Sequence, residues 1–266
     1  MVLLWVIPAV AVFVLWAFFA NRVLTNPRGD LVTGLVLMGM SVYARVVHRL
    51  VARNAEHVPA TIKAGPLIIV ANHTAGVDPL LIQSVCRFEI RWVMAQDMRF
   101  PLFDPFWRWS GIVFVDRTTG DVNGTRAALR HVREGGVLGI FPEGGLERPP
   151  RIIRPFHRGI GFIIKKTGAR VLPVVVEDTP QTDPAWASLW RLSRSKITFM
   201  PIIDYSESGL RAGDIAEDLR ARYLEWTGWD ASEDLEGSET GVEDQDAGMP
   251  TARIETNEPR ARARGT

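Results

Sequence analysis

Cysteine is almost missing from this chain. Cys86 is the single one in 266 residues, so no internal disulfide can form, and a reducing compartment fits. Its neighbours, in the run PLLIQSVC, make it a small core residue. The pattern G-x-S-x-G is also missing, which removes the nucleophile elbow that an α/β hydrolase acting on lipid esters requires. The histidines, acids and lone cysteine show no known metal-ligand spacing. No internal repeat is visible. Charge is missing from the first stretch: no charged side chain precedes Arg22.

What fills that stretch is apolar. Val2–Ala20 reads VLLWVIPAVAVFVLWAFFA, about the length that spans a hydrocarbon core. Pro8 is tolerated in such helices. Arg22 and Arg28 follow, and the positive-inside bias places the C-terminal side in the cytoplasm. A cleaved signal peptide needs a basic start and a small-residue cleavage site, and neither is clear. The next segment, Leu31–Val51, is apolar first and amphipathic later, with Arg45, His48 and Arg49 among apolar residues. It reads as an interfacial helix, as the return arm of a helical hairpin, or as a core helix.

Net charge is +1 but unevenly spread. From Asp230 onward there are ten acidic and four basic residues, so the body before it carries +7. A basic body suits an anionic membrane surface or an anionic substrate. The tail, acidic and glycine-rich with a basic tip, reads as disordered. Three regions result: membrane-anchoring or interfacial helices over 1–55, a main domain over 56–228, and the tail over 229–266.

Between Pro66 and Gly228, strand and helix patterns alternate. Strands are expected at LIIVA, IRWVMA, IVFVD, VLGIF, VLPVVV and KITFMPI. Helices are expected after Asp78-Pro79, over Asp121–Glu134, Gly159–Thr167 and Leu210–Thr227. Asp78 is the expected cap of its helix, with Pro79 at the first helical position. The alternation predicts an α/β domain with a mainly parallel sheet, and its functional loops gather where strands exit.

Four clusters fall at such exits. Asn72-His73 and Asp78 place a base and a carboxylate one short loop apart; a neutral histidine can take a hydroxyl proton, and the carboxylate can fix its tautomer. A helix start and a hydrogen-bonded loop histidine explain the same residues without chemistry. Gly111–Arg117, GIVFVDR, ends a strand in an arginine able to fork onto a phosphate, or in a surface ion pair. Phe141–Gly144, FPEG, offers a glutamate to a substrate hydroxyl or phosphate, or is a turn. Pro173 in VLPV interrupts a strand, which predicts an edge or a bulge.

In this order and spacing the four clusters resemble the lysophosphatidate (1-acyl-sn-glycerol-3-phosphate) acyltransferase family and its glycerolipid relatives. The first motif, N-H-x4-D, is matched by Asn72, His73 and Asp78; the second by Gly111, Phe114 and Arg117. The third is matched by Phe141, Pro142, Glu143 and Gly144, and the fourth by Pro173. The resemblance covers about Gly65–Asp204. It implies a glycerol-phosphate acyltransferase-like α/β fold behind a membrane helix or hairpin. It implies transfer of a fatty acyl group from acyl-CoA or acyl-carrier protein to a lysophospholipid hydroxyl, giving phosphatidic acid. His73 would be the general base and Asp78 its orienting carboxylate. Asn72, Gly111, Arg117, Glu143, Gly144 and Pro173 would serve substrate binding. No metal, redox cofactor or nucleic acid is implied; the membrane is, with the catalytic domain on its cytoplasmic face. One departure stands out: the family's third motif continues with threonine and arginine, where this chain has Gly145 and Leu146. Arg148, Arg151, Arg154 and Arg158 lie near enough to compensate, and another lyso-lipid or hydroxylated acceptor is the alternative, as is a silent lipid-binding protein.

Aromatic clusters carry basic neighbours: Phe100, Phe103, Phe106, Trp107 and Trp109 with Arg99 and Arg108, and Trp186 and Trp190 with Arg191 and Arg194. They read equally as a headgroup interface and as core or acyl-tunnel wall.

Overall fold

A computed structural model describes residues 2–116 and 122–232. Two N-terminal helices, α1 (Val2–Leu24) and α2 (Leu31–Val46), precede an α/β body. Seven strands form one sheet: β1 (Val51–Arg53), β2 (Leu67–Ala71), β3 (Ile90–Ala95), β4 (Val113–Val115), β5 (Val137–Ile140), β7 (Arg170–Glu177) and β8 (Lys196–Phe199). Between β5 and β7 lies a short strand, β6 (Ile152–Ile153). The sheet order is β1-β8-β7-β2-β5-β3-β4, parallel except where β8 runs antiparallel to β7. The expected mainly parallel, mixed sheet is present.

Burial on both faces explains the near-continuous apolar runs. All five residues of β2 are buried. Ile68 and Val70 point toward α5 (Val122–Arg133), α6 (Arg158–Thr167) and α7 (Ala212–Thr227). Leu67, Ile69 and Ala71 point the other way, toward α2 and α3 (Asp78–Val85). Cys86 is buried in that second layer. Helices α6 and α7 meet at Gly161, where an added Cβ would stand 1.8 Å from the Ala212 carbonyl oxygen. Gly161→Val is expected to push the pair apart and lower stability by about 2 kcal/mol, read as a shifted urea midpoint.

Helix α1 is long and apolar enough to cross a membrane over Trp5–Leu24. Helix α2 folds back along it: Gly34 allows the approach, since a Cβ there would meet the Val23 carbonyl. The opposite end of α2 is tied to the body. The Tyr43 hydroxyl donates to Leu189 O at 2.6 Å, and buried His48 bridges Tyr43 and Ser193. Its amphipathic half therefore packs on protein. The turn between α1 and α2 is anchored by Arg28, which pairs with Glu89 and lies 4.7 Å over the Trp109 ring.

Two expectations need correction. Pro173 sits in β7, an internal strand, paired in register with Val70 of β2. The edge is thus excluded, but the bulge, the other expectation, is there: facing β8 the antiparallel pairing slips by one residue between Val174–Phe199 and the isolated bridge Val171–Ile203, so the missing N–H costs no ladder bond. The chain beyond Gly228 is not all tail: β9 (Asp230–Ala231) pairs with β6. Arg220 holds this junction through the carbonyls of Ile153, Arg154 and Ser232. Residues 233–266 lie outside the described residues.

Candidate active site

Strand β2 ends at Ala71 in the middle of the sheet, and the chain turns away through Asn72-His73. Asn72 is fully buried and acts as a backbone substitute. Its side-chain N–H donates to Val176 O at 2.9 Å, and its oxygen accepts from Val176 N at 2.8 Å. It continues the β2–β7 pairing with a side chain. One turn lower, the Tyr223 hydroxyl donates to Val70 O at 2.7 Å and accepts from Val174 N at 2.9 Å. Both groups close gaps where β2 and β7 part, which fixes the path of the next residue.

That residue is His73, whose side chain is 15% exposed, against 0% for Asp78. Its Nδ1 lies 3.0 Å from Asp78 Oδ2. A carboxylate only accepts, so Nδ1 carries the proton and Nε2 keeps its lone pair. The same Oδ2 takes the backbone N–H groups of Thr74 and Ala75, each at 2.8 Å. Asp78 is thus the first residue of α3 rather than its cap, which is Val77; its carboxylate folds back over the loop instead of forward over the helix. Proline at the helix start agrees with the sequence reading.

The imidazole is stacked as well as hydrogen-bonded. It lies parallel to Phe141 at 3.9 Å between centroids, and Phe141 lies on Trp92 at 4.9 Å. An imidazolium formed here would sit on the electron-rich face of Phe141. Phe141 was legible as part of FPEG; its stacking role, and Trp92 beneath it, were not.

The FPEG loop clamps the histidine from the other side. Glu143 is buried, and its two oxygens accept from His73 N at 3.2 Å and Arg154 N at 3.3 Å. Its carboxylate therefore braces the loop rather than reaching into open space. Gly144 has a left-handed backbone, φ 68°, and a Cβ there would stand 2.4 Å from His157 Nε2. Glu147, which sequence reading missed, donates its N–H to His73 O at 2.6 Å and accepts from Arg151 N and Ile152 N with Oε1. Arg148 ties the loop to Thr74 O and Thr182 O. Arg148 was named from its nearness to the third motif, but its partners Thr74 and Thr182, like the His73 carbonyl that Glu147 binds, belong to loops distant in sequence and leave no local spacing signal.

The other expected residues are placed as follows. Gly111 closes α4 (Asp104–Ser110) with φ 65°. A Cβ there would meet Arg91 Nε at 2.8 Å, so this glycine makes the turn and leaves room for Arg91. Phe114 is on the edge strand β4, beneath the Arg99 guanidinium at 5.3 Å. Arg117 lies outside the described residues. Pro173 pairs beside Val70 and reaches the site only through the strand it belongs to. No group of three or more His, Cys, Asp or Glu side chains among the described residues could hold a metal.

Burial pushes the Glu143 carboxyl up to about 8, against the Arg154 and His73 N–H groups that pull it down. Burial likewise raises Glu147 to about 7, against the Ile152 N–H. A carboxyl raised above its unfolded value favours the protonated fold, so its contribution is complete below about pH 4.5 and fades as pH rises through 7 to 8. Thermal midpoints measured from about pH 5 to 8.5 should therefore include a decline that Glu147→Gln flattens.

The family model described as Acyltransferase matches residues 49–177. A 1-acyl-sn-glycerol-3-phosphate acyltransferase of Borreliella burgdorferi is 31% identical over 139 residues, 49% of this chain and 52% of that protein. The chain thus spans about half the length of the curated relative it matches. The crystal structure of the 1-acyl-sn-glycerophosphate (LPA) acyltransferase PlsC from Thermotoga maritima has the same fold. Its TM-score is 0.58 at 21% identity, over 72% of this chain and 79% of that one. Over residues 49–177 the chain is similar to the acyltransferase family, and over its sheet and helices it shares the fold of PlsC.

Proposed function

We propose that the chain is an O-acyltransferase that moves a fatty acyl group from a thioester to the hydroxyl of a lysophospholipid, 1-acyl-sn-glycerol-3-phosphate first among them. The observation that carries this reading is the His73–Asp78 pair, 3.0 Å apart at the end of β2, with Asp78 wholly buried and His73 partly accessible. His73 Nε2 takes the proton of the acceptor hydroxyl as its oxygen attacks the thioester carbonyl carbon. Asp78 stabilises the imidazolium. The tetrahedral adduct collapses, the C–S bond breaks, and the thiolate leaves with the proton held on His73. One ester and one thiol result, and no acyl-enzyme is required. The donor is acyl-CoA or acyl-carrier protein.

Membrane attachment is part of the proposal. Apolar α1 would enter the bilayer, and Arg22 and Arg28 favour the cytoplasmic side for the body. The aromatic segments lie at the surface: Leu102 is 75% exposed, Trp190 77% and Trp186 63%. A headgroup layer suits such residues better than water does.

The name of the Borreliella relative supports lysophosphatidate as acceptor, whereas Gly145 and Leu146, where threonine and arginine are usual, favour testing others. Labelled acyl-CoA and acyl-carrier protein, incubated with the full chain in detergent micelles, should give phosphatidate from lysophosphatidate. Transfer only to a different lyso-lipid would replace the acceptor and keep the chemistry. Absence of transfer to any lyso-lipid or polyol phosphate, from either donor, would overturn the proposal.

A further inference from the structure

Two buried carboxyl groups beside His73 take no part in the proton transfer, those of Glu143 and Glu147. Both belong to the loop that leaves β5. Glu143 accepts from His73 N at 3.2 Å, and the backbone N–H of Glu147 donates to His73 O at 2.6 Å. The peptide groups on both sides of the histidine are therefore held from one loop.

That loop needs holding itself. Beyond Glu147 the chain reverses through 148–151, where Pro149 and Pro150 bring no N–H to secure the turn. Arg151 closes it with φ 64°, a left-handed conformation that a residue with a Cβ adopts only under constraint. The constraint is the Glu147 side chain. Its Oε1 accepts from the N–H groups of Arg151 and Ile152, which ties the far side of the turn to the near side. Ile152 then enters β6, paired with β9, and Arg154 N returns to Glu143 Oε2. So the Glu147 carboxylate fixes its own backbone, and that backbone fixes the His73 carbonyl. Its other oxygen, Oε2, is buried and has no hydrogen-bond partner among the described residues. Only one oxygen is used.

We infer that Glu147 is a positioning residue for acyl transfer: by holding the turn it sets the place of the His73 carbonyl, and through it the Nε2 that takes the acceptor's proton. The inference rests on the acyl-transfer proposal and adds a residue that acts through its neighbour's backbone. The role asks for one acceptor oxygen at the reach of a glutamate side chain, not for negative charge. Glutamine meets that requirement. Aspartate keeps the charge and falls one methylene short.

The test compares the full chain in detergent micelles with Glu147→Gln, Glu147→Asp and Glu147→Ala. kcat and KM are measured with labelled acyl-CoA on lysophosphatidate. Spectra of nitrogen-labelled histidine follow the Nδ1–H of His73, assigned with His73→Ala. Glu147→Ala should lower kcat about 10- to 100-fold, as a misplacement on the order of 1 Å does, with little change in KM. Its Nδ1–H signal should broaden as exchange with water quickens. Glutamine should keep most of the turnover, and aspartate should fall between glutamine and alanine. If Glu147→Ala does not fold, the order of glutamine and aspartate decides. Aspartate more active than glutamine would overturn the inference, because charge and not reach would then matter. So would an unchanged kcat in all the variants, or a raised KM with kcat kept, which would place Glu147 against a substrate. A His73 signal that follows the expected order, in a protein that transfers no acyl group, would keep the positioning and sink the acyl-transfer proposal alone.

Discussion

His73→Ala should reduce acyl transfer by about 10²- to 10⁴-fold, the range supplied by a positioned general base, while leaving the fold intact. The side chain is partly accessible, and its backbone contacts to Glu143 and Glu147 do not depend on the ring. What disappears is the Nε2 lone pair and the stack on Phe141. The measurement is turnover of labelled acyl-CoA on lysophosphatidate, beside a thermal midpoint. A small change in midpoint with a large loss of kcat places His73 in the chemistry. Undiminished turnover would mean that another group takes the proton, and the proposed mechanism would fall. A protein that only binds lipid would show no turnover before or after the change.

Asp78→Ala should cost as much activity and, in addition, stability. Its Oδ2 gathers three N–H donors, His73 Nδ1, Thr74 N and Ala75 N, with the Thr74 hydroxyl at 3.3 Å beside them. Removing it strands two buried backbone N–H groups, at about 1–3 kcal/mol each. A denaturant midpoint should show a loss of about 2–4 kcal/mol that His73→Ala does not. Asp78→Asn separates the two effects. Because all three donors converge on one oxygen, an asparagine can place its carbonyl there, keeping the loop and the histidine tautomer. What it lacks is the negative charge opposite the imidazolium. Stability should return in large part, with kcat still well below that of the native protein. The double variant His73→Ala/Asp78→Ala should lose little more activity than either alone, since the pair acts as a unit. Additive losses would show that the two carboxylate and imidazole groups act separately.

The strands and helices were legible in the sequence because their signals are local. The run LIIVA, the Asp78-Pro79 helix start and the glycines after Glu134 each act over a few residues, and each marks its element, with the start of α3 falling one residue earlier than expected, since Val77 and not Asp78 is its cap. The base and its carboxylate were legible for the same reason, being five residues apart. Long-range contacts carried no such signal. Glu143 was read as a group offered to substrate, yet it is buried under the loop because its partner N–H belongs to a residue 70 positions away. Tyr223 reaches Val70 across 153 positions and leaves no periodic trace near either residue. Pro173 was expected at an edge or a bulge because proline removes a ladder donor; which of the two was decided by the pairing with β8, where a one-residue slip makes the internal position possible.

By itself, then, the sequence determined the order of elements, the apolar N-terminal helix and the residues that meet at the end of β2. Hydrophobic periodicity and turn chemistry are enough for that, since they are encoded within a few neighbouring residues. Tertiary structure alone decided which carboxylates are buried and therefore raised in pKa, and what stacks beneath His73. Those properties arise from burial and from the field of distant residues, and both exist only after strands far apart in the chain have come to lie side by side.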